Sequence, residues 1–91
     1  MQVAWTEPAE RDLRRVHGFL AVKNPLAAAR VVDALSEAPS RLQSQPRIGQ
    51  RVETITSREV RRIVVGQYEI RYDIVGEVVR VLRIFHTRED R

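Results

Sequence analysis

Cysteine is missing altogether, lysine occurs once, at Lys23, and no apolar run is long. Without cysteine there is neither a disulfide scaffold nor a thiolate zinc site, and the chain suits a reducing compartment. The longest stretch free of Asp, Glu, Lys and Arg is Val16 to Val22, seven residues, against roughly 20 needed to span a bilayer. Glu7, Glu10, Arg11 and Asp12 arrive too early for a secretory leader. A cytoplasmic protein with no membrane association is therefore expected. The only histidines, His17 and His86, lie far apart, and no phosphate-binding glycine loop, nucleophile elbow or His-Glu-x-x-His run occurs. No metal and no cofactor are expected.

What is present is enough for one core. Ninety-one residues, 43% hydrophobic and 31% charged, make one globular domain over 1–91 rather than a disordered chain. The formal net charge is +4, and fifteen of the sixteen basic residues are arginine. Arginine offers a planar fork that matches carboxylate or phosphate, so an acidic protein or a nucleic acid is a possible partner. For any single arginine the plain alternative is a solvated surface charge.

Arg58 to His86 holds three runs rich in Val, Ile, Tyr and Phe, divided at Gly66-Gln67 and at Val75-Gly76-Glu77. Such residues fit a pleated, half-buried surface, and the glycines suit tight turns. The middle run alternates, with Tyr68, Ile70, Tyr72 and Ile74 on one side and Glu69, Arg71 and Asp73 on the other. Connections this short join antiparallel strands. The first strand groups Val60 with Arg62 and Val64, and Arg61 with Ile63 and Val65. The last, from about Glu77 to His86, is apolar on both faces except at Arg80 and Arg83, and is expected to be central. Val3 and Trp5 fit a fourth strand.

Thr6-Glu7-Pro8 and Asn24-Pro25 are helix starts: a capping side chain, then proline where no backbone donor is missed. Ala9, Leu13, Val16 and Leu20 form one stripe, and Ala28, Val31, Val32, Leu35, Ala38 and Leu42 a second. With only Val22 and Lys23 between them, the helices form an antiparallel hairpin. Pro39 interrupts the second helix. The fold expected is α+β: a two-helix antiparallel hairpin on a three- to four-stranded antiparallel sheet. The uncovered sheet face, bearing Arg62, Arg71 or Arg83 among apolar neighbours, is a candidate binding surface.

His86, at a strand end and close to Arg88, suits general acid–base work on a phosphodiester, or a hydrogen bond that caps the sheet. His17 sits at the edge of the core stripe as a packing or surface residue. Trp5 and Tyr72 are placed in the core by their alternation rather than as stacking platforms.

The ordered set Trp5-Thr6-Glu7-x-Ala9-x-x-Asp12-Leu13, Asn24-Pro25-x-Ala27-Ala28, Pro46-Arg47-Ile48-Gly49, Arg58-Glu59-Val60, Tyr68-x-Ile70-x-Tyr72 and Val81-Leu82-Arg83-Ile84-x-His86-x-Arg88 resembles the ParE/RelE toxin superfamily of type II toxin–antitoxin systems. It is more similar to the ParE branch. The resemblance covers nearly the whole chain and implies two helices on an antiparallel sheet. It implies a cognate antitoxin with an acidic or amphipathic C-terminal tail, in a toxin–antitoxin hetero-oligomer. ParE-like members inhibit DNA gyrase by protein–protein contact, and the expected partner-binding residues are Arg58, Arg62, Arg71, Arg83, His86 and Arg88. RelE-like members are ribosome-dependent mRNA endoribonucleases. On that alternative Arg62, His86 and Arg88, with Glu53, would be catalytic, the partners being ribosome and mRNA. No lysine follows Lys23 and no tyrosine follows Tyr72, so the nuclease constellation is incomplete. A third alternative is a degenerate, non-toxic antitoxin-binding module.

Overall fold

Thr6 and Asn24 open the two helices as their side chains dictate. In a computed structural model, which describes residues 1–89, Thr6 Oγ1 accepts from the Ala9 amide at 3.3 Å and Asn24 Oδ1 from the Ala27 amide at 3.0 Å. Each satisfies a first-turn donor with no partner inside the helix. Strand β1 (Gln2–Trp5) leads into helix α1 (Glu7–Ala21), and α2 (Pro25–Glu37) folds back against it. As expected of Pro39, α2 stops at Glu37 and the chain tightens into a 3₁₀ turn over Ala38–Gln43. Strands β2 (Gln50–Arg51), β3 (Val60–Val65), β4 (Tyr68–Val75) and β5 (Val78–His86) complete the chain.

The sheet order is β1-β5-β4-β3-β2. The expected sheet of three or four antiparallel strands is thus five-stranded and mixed. Strands β2 to β5 pair antiparallel, whereas β1 pairs parallel with β5. The whole helical hairpin lies between β1 and the meander, and a connection that long can return the chain in a parallel sense. The last strand lies inside the sheet beside β1, but β4 takes the middle. Both turns of the meander have glycine first, Gly66 at φ +60° and Gly76 at φ +59°, as a II′ hairpin turn requires.

The α1 and α2 stripes meet one sheet face. Ala9, Val16, Leu35 and Leu42 join Ile63, Ile70, Tyr72, Val79, Val81 and Ile84 in one buried cluster. Each large apolar side chain so buried contributes about 1.5–3 kcal/mol relative to exposure. Tyr72 is fully buried and its hydroxyl donates to the Pro46 carbonyl at 2.7 Å and accepts from the Gly49 amide at 3.1 Å. That clamps Pro46-Arg47-Ile48-Gly49 to the centre of the sheet.

Strand β5 departs from simple alternation. Arg71 faces Arg83 while Tyr72 faces Val81, so Leu82 has no partner on β4 and the strand is bulged there. The buried positions accordingly step from Val79 and Val81 to Ile84. An unbroken strand would send Arg80 and Arg83 to opposite faces. The bulge turns both to the uncovered face.

Candidate functional site

The uncovered face carries Arg62 on β3, Arg71 on β4 and Arg83 on β5, each directly opposite the next. Three guanidinium groups in one cross-strand row would repel one another. Carboxylates of the same chain prevent this. Glu69, almost fully buried, lies 2.9 Å from Arg71 Nε and 3.5 Å from an Arg62 Nη. Asp73, fully buried, pairs with Arg80 through two hydrogen bonds and lies 3.4 Å from Arg58. Phe85 stands between Arg71 and Arg83, whose guanidinium carbons are 5.5 and 5.1 Å from its ring centre.

Helix α1 supplies the third carboxylate. Asp12 accepts from Arg83 Nε at 2.7 Å, from Arg83 Nη2 at 3.2 Å and from the Ile84 amide at 2.8 Å. Burial pushes its carboxyl up, but Arg83 and the Ile84 amide outweigh that and hold it below its ordinary value. The same pair raises Arg83, chiefly through the hydrogen bond to Asp12. The edge of β5 beyond the reach of β1 is closed by side chains. Thr6 donates to the Val81 carbonyl at 2.8 Å, Asp12 takes the Ile84 amide, and Arg15 reaches the Ile84 carbonyl at 3.4 Å. These contacts give a physical reason for the Thr6 and Asp12 positions in the sequence pattern: they stand in for a missing strand.

Toward one end of this face the segment from Val52 to Glu59 and the first turn of α1 enclose a cleft of about 430 Å³. Ile55, Val60, Leu82 and Phe85 line it with Arg58, Arg71 and Arg83.

His86 faces the other way. It pairs across the sheet with Tyr68, which packs on the helix-side core, and the two rings meet edge to face at 5.3 Å. Its Nδ1 accepts from the Arg88 amide at 3.1 Å, which leaves Nε2 to donate to Gln67 Oε1 at 3.3 Å. Arg15, Phe19, Tyr68 and Glu89 join it around a cleft of about 360 Å³.

A family model described as the ParE toxin of the type II toxin–antitoxin system parDE matches residues 3–91. The chain belongs to the ParE toxin family. Curated relatives include Toxin RelE2 of Caulobacter vibrioides, 38% identical over 93% of each chain. Toxin RelE1 of the same organism is 40% identical over 91% of this chain and 89% of that one. The chromosomal ParDE system of P. aeruginosa shares the fold, with a TM-score of 0.81 over 94% of this chain and 95% of that one at 22% identity.

In this ParE-family toxin the expected partner-binding residues fall into two groups. Arg58, Arg62, Arg71 and Arg83 share the uncovered face; His86 and Arg88 lie at the end of β5, with His86 turned to the helix side. The nuclease alternative named Arg62, His86, Arg88 and Glu53. Arg62 and His86 are on opposite faces, Arg88 meets His86 through its main-chain amide, and Glu53 is exposed in the turn after β2. The sequence reading missed Asp12, Glu69, Asp73 and Phe85, which hold the arginines in place. The alternation of Glu69, Arg71 and Asp73 was a signal for two of them. As the toxin of a type II system, the protein has a cognate antitoxin as partner. Among the described residues, no helix is long and apolar enough to cross a membrane.

Proposed function

We propose that this toxin acts in the cytoplasm as a non-enzymatic inhibitor of DNA gyrase, by protein–protein contact, and is neutralised by its antitoxin. The observation that carries this reading is the separation of Arg62 from His86 by the thickness of the sheet. Cleavage of a phosphodiester through the ribose 2′-hydroxyl needs a base, charge stabilisation at the phosphate and a proton for the leaving oxygen, all within hydrogen-bond reach of one phosphate. The imidazole and the arginine row that the nuclease reading would combine lie on opposite faces of the sheet. The arginine row instead presents partly exposed forks around Phe85, held by the buried Glu69, which suits a protein surface. Membership of the ParE family supports the same target.

The test is a supercoiling assay with purified gyrase and relaxed plasmid. Toxin in molar excess leaves the plasmid relaxed; full supercoiling at any toxin concentration refutes the proposal. The names of the two Caulobacter relatives, RelE1 and RelE2, favour a second reading, a ribosome-dependent mRNA endonuclease. On that reading, translated mRNA from induced cells carries cuts at fixed codon positions, and His86→Ala removes them.

A further inference from the structure

We propose that the turn between α1 and α2 is the part of the toxin that engages gyrase, seated there in an apolar socket edged by carboxylates. The proposal rests on the reading of the chain as a gyrase inhibitor and adds the contacting surface to it. Phe19, Val22 and Leu26 are 76%, 85% and 62% exposed, more than any other large apolar side chain among the described residues. All three fall within eight residues at one turn, and Phe19 and Val22, three apart in helical backbone, share a face. Exposed apolar residues scattered singly need no explanation, but a group of them marks a contact. The turn is also fixed in shape. The Lys23 and Asn24 amides both donate to the Leu20 carbonyl, at 3.2 and 2.9 Å, and the Asn24 side chain caps α2.

The chain's charge gathers at the same place. Of sixteen basic and twelve acidic residues, Arg14, Arg15, Lys23 and Arg30 fall between residues 13 and 32 and no acid does, which leaves twelve of each sign elsewhere. The whole formal charge of +4 therefore belongs to the later part of α1, the turn and the first part of α2. Arg15 meets Asp12 and Glu89, but among the described residues Arg14, Lys23 and Arg30 meet no carboxylate. Arg15 lies one helical turn from Phe19, Arg30 one turn from Leu26, and Lys23 follows Val22. An apolar centre with a cationic rim has the anatomy of a protein interface, and its complement is an apolar socket with acidic edges. DNA and lipid fit less well. A phosphate backbone rewards the cations but buries none of the three apolar side chains. A bilayer takes apolar side chains in any arrangement, whereas this turn holds them in a fixed one.

The experiment titrates the toxin against purified gyrase and relaxed plasmid and reads the half-inhibitory concentration for supercoiling. Phe19→Ala and Lys23→Glu are each expected to raise it roughly tenfold, and the Val22→Ser, Leu26→Ser double variant roughly a hundredfold, as for the loss of central anchors. All four side chains are exposed, and unchanged urea midpoints verify that the variants fold. Val75→Thr, at an exposed apolar residue of the β4–β5 turn, inhibits as the parent does. Parent-like inhibition by all the α1–α2 turn variants overturns the proposal and leaves the gyrase reading standing. A parent that leaves supercoiling untouched overturns both. Sedimentation of the toxin with phosphatidylglycerol vesicles, or its retention on plasmid DNA without gyrase, would assign the turn to lipid or to DNA if the same variants abolish it. Either result also overturns the proposal.

Discussion

Arg83 on β5 stands directly opposite Arg71 on β4, and Arg71 directly opposite Arg62 on β3. Like charges in such positions cost stability, and Glu69 beneath Arg62 and Arg71 reverses the sign. Glu69→Gln keeps the shape but removes the charge. It is expected to destabilise the fold by about 1–3 kcal/mol, because breaking a largely buried pair leaves the repulsion uncompensated. Added salt screens exposed charges, so about 1 M NaCl restores part of the loss in the variant more than in the parent. Urea unfolding at two salt concentrations measures this; identical midpoints for variant and parent contradict it.

Asp12 ties α1 to β5. Asp12→Ala leaves the Ile84 amide and the Arg83 fork without their acceptor, and the expected loss is about 2–4 kcal/mol. In a domain of this size each kcal/mol is roughly 4–8 °C in Tm, so a thermal melt shows it clearly. The pH dependence follows from the same contact. Asp12 is held below its ordinary value, and so is Glu59, chiefly by its hydrogen bonds from Arg47 and Arg61. A carboxyl depressed in the folded state contributes stability above its unfolded pKa and loses that contribution as pH falls through its folded one. Stability is therefore flat near neutral pH and falls below about pH 4. Urea midpoints from pH 7 to pH 3 test it, and Asp12→Ala shows a shallower acid decline than the parent.

Gly49 sits where no side chain fits. A Cβ there would press on the Tyr72 hydroxyl and on the Arg62 carbonyl. Gly49→Ala is expected to cost about 1–3 kcal/mol by overpacking. Tyr72→Phe removes the bonds to Pro46 and Gly49 and costs about 1–2 kcal/mol. The double variant is less destabilised than the sum, since the hydroxyl is one of the obstacles; the Arg62 carbonyl and the ring carbon Cε1 at position 72 remain, so recovery is partial. Full additivity in a double-mutant cycle would show that the two residues do not meet.

Much of this fold was legible in the sequence because its signals are local. Thr6, Asn24 and Pro39 act on their own turns, and Tyr68, Ile70, Tyr72 and Ile74 reveal their shared face by period alone. The site was less legible. Alternation assumes an unbroken strand, and the bulge at Leu82 that unites Arg80 with Arg83 depends on pairing with β4. Val3 and Trp5 do lie beside the last strand, one of the two neighbours expected of it, but the parallel pairing spans most of the chain and leaves no local trace. Charge counting showed an arginine-rich chain but not its internal pairing, because Asp12 meets Arg83 only after α1 folds across the β5 edge. His86 was grouped with the arginines by sequence proximity; the register of β5 against β4 turns it to the helix side.

The central claim is that this toxin grips a protein and breaks no bond. The most direct measurement follows plasmid topology and mRNA integrity together in cells induced for the toxin without its antitoxin. Loss of negative supercoiling alongside intact transcripts is the predicted result. Codon-positioned cuts in transcripts while supercoiling persists would contradict it.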